Sequence, residues 1–130
     1  MRCLLFAPLV LLLLLVLGGC QDRADAGVPA GIAGKDWFYA HLPEEKGLLT
    51  YKLPGTFEPK AGMGIDGFRL ETDGTFVRHT QGPADGPLDI PGTWQAEGAG
   101  KYRVSLRNGQ PSFLLTLELL DAETLRAREN

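Results

Sequence analysis

The sequence predicts an all-β domain: an antiparallel up-and-down meander of seven or eight short strands that closes into a small barrel behind an N-terminal signal helix. Three observations carry this. Gly and Pro recur at short intervals beyond residue 34, and the chain holds 17 Gly and 9 Pro. The runs between them alternate apolar and polar residues instead of repeating at helical spacing. Each hairpin, folded at its turn residues, gathers its apolar side chains on one face, an arrangement that a slip of one residue would invert.

The leader comes first. Met1 and Arg2 form a minimal positive start, and the apolar run from Leu4 to Leu17 is interrupted only by Ala7 and Pro8. That suits a secretory signal and falls short of the roughly 20 residues a membrane span needs. The run closes on Leu17-Gly18-Gly19-Cys20, which resembles the lipobox of bacterial lipoproteins. The resemblance implies removal of residues 1–19, a diacylglycerol thioether on Cys20 and acylation of the new amine; several acyl chains hold a protein at a membrane where one would not. Gln21 occupies the position where the resemblance would put Asp for inner-membrane retention, so it implies an outer-membrane anchor facing the periplasm. Residues 21–34, QDRADAGVPAGIAG, read as a flexible tether of about 14 residues. The expected division is therefore a signal peptide (1–19), a lipidated cysteine with its tether (20–34) and a barrel domain (35–130).

Without the leader, 12 Lys and Arg stand against 16 Asp and Glu, a formal charge of −4. That mild acidity argues against nucleic acid, which attracts a clustered basic face. Only Cys3 and Cys20 are cysteines, so no disulfide can staple the exported domain.

Within the domain, residues 35–42 form a short strand or one helical turn, and Leu49, Tyr51 and Leu53 alternate with Thr50 and Lys52 in a strand ended by Pro54-Gly55. At Asp73-Gly74, a turn with Gly74 as a bulge pairs Leu70 with Phe76 and gathers Phe68, Leu70 and Phe76, which also turns Arg78 inward. Residues 81–92, QGPADGPLDIPG, read as a long loop stiffened by Pro83, Pro87 and Pro91. Residues 93–97 fold onto residues 101–107, placing Trp94 and Ala96 with Tyr102 and Val104. A two-residue type I′ turn at Asn108-Gly109 pairs Val104 with Phe113 and Tyr102 with Leu115. A last reversal near Asp121 sets Leu125 opposite Leu119 and Ala127 opposite Leu117, with Glu118 facing Arg126.

The ordered run GFRLETDGTF, GPADGP, PGTW and LLDAETLRAR, from Gly67 to about Arg128, resembles small bacterial lipocalin-like (calycin-type) barrels. In these a DG turn is followed by an aromatic, then G-x-W, then a final strand ending Leu-x-Arg. The resemblance implies an up-and-down barrel that sometimes holds a small apolar ligand, and it brings no catalytic residue. This chain departs from true lipocalins, whose G-x-W opens the first strand, whereas Gly92-Thr93-Trp94 lies mid-chain. Its shorter strands, with Leu and Phe inward, can fill the interior.

No catalytic or metal-binding constellation is spelled out. His41 and His79, the only histidines, lie on different segments without partners at metal-ligand spacing and read as surface residues. Ser105 and Ser112 are the only serines, and neither sits in a nucleophile elbow. Asp66, Asp73, Asp85, Asp89 and Asp121 read as turn residues. No nucleotide motif and no cofactor are expected. The functional expectation is a non-enzymatic, lipid-anchored envelope protein that binds a small apolar molecule or an envelope component. The alternative is a protein-interaction or inhibitor module using surface loops such as 81–92. Candidate ligand contacts are Arg78, which meets a ligand carboxylate or pairs with a structural acid, and Trp94 and Tyr102, core residues by default that would wall a cavity.

Overall fold

Eight antiparallel strands, joined edge to edge, close a barrel in the order β1-β2-β8-β7-β6-β5-β4-β3. They are β1 (Trp37–Tyr39), β2 (Leu49–Lys52), β3 (Asp66–Leu70), β4 (Thr75–Gln81), β5 (Pro87–Ala96), β6 (Lys101–Leu106), β7 (Phe113–Asp121) and β8 (Thr124–Glu129). The structure, a computed structural model, describes residues 27–57 and 64–130. The leader, the lipobox and Cys20 lie outside the described residues. Among those described, no helix is long and apolar enough to cross a membrane.

From β3 to β8 the chain is a meander in the expected registers. Leu70 faces Phe76, and Gly74 takes the left-handed φ of 93° that the bulged turn needs. Trp94 faces Val104, Tyr102 faces Leu115, and Leu125 faces Leu119. Inward side chains pack into one core in which Trp37, Leu70, Phe76, Val104 and Leu125 are fully buried. Arg69, Arg103, Glu118 and Arg126 alternate with these inward residues and stand on the outer wall.

Three local expectations change. The β6–β7 turn is not type I′, which needs positive φ at both central residues: Gly109 has φ 78° but Asn108 is not left-handed. Instead the Asn108 side chain accepts the Gln110 N–H, and the ladder stops at Val104 and Phe113 because Pro111 cannot donate. Residues 81–92 are mostly strand: only Gly82 to Gly86 form the connection, around a short 3-10 turn (Pro83–Asp85). Pro87 and Pro91 are tolerated in β5 because their nitrogens point toward β6, away from β4; the Pro91 carbonyl accepts from Arg107 just past the end of β6. The domain also begins before Lys35. Pro29 to Ala33 make one helical turn, Val28 and Ile32 are buried, and Gly34 N–H donates to the Leu70 carbonyl, so half of the expected tether plugs one barrel end.

One step of the topology departs from consecutive pairing. β1 lies beside β3, and β2 lies beside β8. Because β1 runs antiparallel to both, β2 and β3 are parallel, and parallel strands need a crossover of about a dozen residues. Residues 53–65 supply it. The Pro54-Gly55 turn, with Gly55 at φ 82° and the Thr56 N–H and hydroxyl both donating to the Leu53 carbonyl, reverses the chain to begin the crossover.

Candidate functional site: a cleft under the crossover

The described ends of the crossover, Pro54 to Phe57 and Gly64 to Ile65, both stand against β1 and the start of β3. There lies a cleft of about 530 Å³, walled by Phe38, Tyr39, Phe57 and Ile65, with Asp66, His79, Thr80 and Asp89 among the residues that complete it. The cleft extends along β1 to the Pro54-Gly55 turn after β2 and reaches the barrel mouth, where β3 begins and β4 ends. The opposite end carries the β3–β4, β5–β6 and β7–β8 turns and the plug of residues 28–34.

The outer wall of the cleft is a row running across four strands. Phe38 faces Gly67, Gly67 faces His79, and His79 faces Asp89. The absence of a side chain at residue 67 is required: a Cβ there would lie 2.4 Å from the Trp37 carbonyl oxygen and 2.7 Å from the Phe38 ring. Phe38 therefore reaches over the glycine and stacks on His79, with ring centroids 5.3 Å apart. Asp89 Oδ1 lies 2.8 Å from His79 Nδ1, and Asp36 Oδ1 lies 2.8 Å from Nε2. Ionised carboxylates only accept, so both contacts are satisfied when the ring carries both N–H protons. Asp36 also lies 3.2 Å from Arg69 Nε, which is 3.4 Å from Glu71.

On the inner side of the mouth, Arg78 turns into the barrel. Its guanidinium forms a two-pronged pair with Glu129, with Nη1 3.1 Å from Oε2 and Nη2 on Oε1, and lies 3.7 Å from Asp66. Its Cζ sits 5.1 Å from the centroid of the Phe113 ring. Burial opposes its charge, yet Glu129 and Asp66 hold it more firmly protonated than an ordinary arginine. Burial drives the Asp66 carboxyl above its ordinary range, with Arg78 pulling the other way. Burial, reinforced by Asp66 and Glu129, pushes the Tyr51 phenol far up, leaving it neutral.

Of the residues singled out from sequence, none of Arg78, Trp94 and Tyr102 lines the cleft. Arg78 takes the structural-acid alternative. Trp94 donates its indole N–H to the Glu71 carbonyl at 2.8 Å and meets Tyr102 edge to face, 5.5 Å apart, within the core. The histidines differ from expectation: His79 is 7% exposed and bound on both nitrogens, and the cleft gathers it with His41. Asp73 and Asp121 do cap turns, accepting from Thr75 and Glu123, but Asp66 and Asp89 lie in strands and face the cleft. The alternation on β4 was a usable signal: if Phe76 and Arg78 point in, Val77 and His79 point out. Nothing local in sequence marks Asp36 or the crossover.

Among the described residues, no group of three or more His, Cys, Asp or Glu side chains is arranged to hold a metal ion. No hydroxyl or thiol nucleophile is bonded to His79, whose nitrogens both face carboxylates, so the row positions charge and does not form a nucleophile–base pair. The class this defines is a small closed antiparallel barrel with an apolar core and a cleft against its wall. No protein-family model, curated protein or solved structure matches this chain.

Proposed function

We propose that the protein is a lipid-anchored envelope protein that binds a small, mainly apolar molecule without transforming it, and that the binding place is the cleft under the crossover. The observation that supports this is the cleft itself. Its volume of about 530 Å³ falls within the roughly 300–1,000 Å³ usual for small-molecule sites, and apolar walls with a few placed polar groups are their usual composition. The fully buried core residues leave the cleft as the better place for a ligand than the barrel axis.

Titration of the mature domain with the uncharged fluorescent probe N-phenyl-1-naphthylamine tests the binding. Saturable one-to-one enhancement is expected, and it should disappear in Ile65→Trp, which fills the cleft, while the thermal melt stays cooperative. Enhancement that does not saturate, or that is the same in Ile65→Trp, overturns the cleft as the site. The anchor is tested separately by labelled palmitate: incorporation is expected in the full chain and not in Cys20→Ala, and continued labelling of the variant defeats it.

A further inference from the structure

The charges around the cleft do not balance, and the imbalance has one sign. At the inner edge, Glu129 occupies both terminal nitrogens of Arg78, so the guanidinium is largely spent before it reaches Asp66, 3.7 Å away. At the outer edge, Arg69 stands between Asp36 and Glu71, and His79 between Asp36 and Asp89. Glu71 belongs to the β3–β4 turn at the opposite end, which leaves four carboxylates, Asp36, Asp66, Asp89 and Glu129, against two guanidiniums, and of these charged groups the cleft lining itself holds Asp66 and Asp89. Lys52, across the strand pair from Phe38, is drawn toward Asp121, whose carboxyl it helps to lower. Among the described residues, no Lys or Arg lines the cleft.

The walls favour the same sign of ligand. Phe38, Tyr39 and Phe57 present aromatic rings, whose faces attract cations, and the low polarity of the space strengthens any charge pair formed in it. The raised Asp66 carboxyl agrees with this, since burial disfavours its charged form and Arg78 does not fully offset that cost.

Resting on the cleft as the ligand site, we propose that it selects molecules in which an apolar body carries a cationic group, an amine or quaternary ammonium. The apolar body lies against the rings of Phe38, Tyr39 and Phe57, and the cation sits between Asp66 and Asp89.

The experiment is competition against N-phenyl-1-naphthylamine by three ten-carbon probes below their aggregation limits: decyltrimethylammonium, decanol and decanoate. The ammonium should displace the fluorophore at least about tenfold more strongly than the alcohol, and decanoate least of all. A tenfold ratio corresponds to about 1.4 kcal/mol, within reach of one partly desolvated charge contact. Asp66→Asn and Asp89→Asn should each shrink that ratio, and the double variant should bring it close to one while the alcohol still binds. Added salt should shrink it too, because the mouth is open to solvent. Equal displacement by all three probes overturns the charge selection and leaves the cleft intact as an apolar site. Failure of every probe, with no saturable fluorophore binding, removes the cleft reading and this inference with it. A preference for decanoate would reverse the sign and refute the proposal.

Discussion

At the closed end of the barrel, Trp37, Leu70 and Leu125 are fully buried, Ile32 is buried beside them, and two bonds tie the plug to the strands: Trp37 donates to the Ile32 carbonyl at 3.1 Å and the Gly34 N–H to the Leu70 carbonyl. Toward the mouth stand Asp66, Arg78, His79, Asp89 and Glu129, whose charges are paired unevenly around a cleft. The difference is one of division. Apolar burial, at roughly 25 cal/mol per Å², stabilises the closed end and allows the mouth to keep groups that cost stability. A binding site placed on the axis would have to compete with side chains that fill it.

The largest effect should come from breaking the closed end. Leu70→Ala removes a fully buried side chain from the closed end of the core and is expected to destabilise by about 2–5 kcal/mol, read as a lowered urea midpoint. Against a total of about 5–15 kcal/mol for a typical domain, that is a large fraction. Ile32→Ala should cost about 2 kcal/mol, because the covering turn can relax more than a strand can. If Ile32→Ala left the urea midpoint unchanged, the plug would be an ornament of the closed end and the comparison would lose one of its terms.

The two ends also differ in how readily they can be read from sequence. The β3 to β8 registers were legible because Asp73-Gly74 and Asn108-Gly109 fix turns and the alternation of Phe68 and Leu70, Tyr102 and Val104, Leu115 and Leu117 fixes faces. The strand status of residues 87–91 was hidden because Pro is read as a breaker, and only the positions of β4 and β6 show that neither proline removes a bond to β4. The order of β1 and β2 had no local signature, since β2–β8 and β1–β3 pairing depend on which edge a short hairpin finds. The cleft follows from that order alone, and so the site was the least legible part. His79 is the clearest case: its partners Asp36 and Asp89 lie 43 and 10 residues away, at no motif spacing.

At the mouth, Arg78→Met should cost about 1.5–3 kcal/mol, the range for hydrogen bonds to charged groups, because it leaves Glu129 and Asp66 facing each other without their shared cation. Pairing it with Glu129→Gln should restore a large part of the loss, so the two substitutions should be clearly non-additive in a double-mutant cycle by urea denaturation. Strict additivity would mean that the inward arginine acts through packing against Phe113 and not through its acids.

The smallest effect, opposite in sign, should come from Asp66→Asn. Burial raises the Asp66 carboxyl above its ordinary value of 3.8, so the folded state holds this proton more tightly than the unfolded chain does. The stability linked to the proton is fully present below the unfolded value and is lost as pH rises through the folded one. Above that window the wild type carries the cost of an underpaired carboxylate, and the neutral amide does not. Thermal melts should therefore find Asp66→Asn slightly more stable than wild type at pH 7, with the gap closing near pH 3, where both side chains are uncharged. A variant less stable than wild type at pH 7 would place Arg78–Asp66 among the contacts that hold the barrel together, and the mouth would then be built like the closed end. A gain in stability coupled to weaker cation selection would instead show that the mouth gives up stability at the residue on which its selectivity depends.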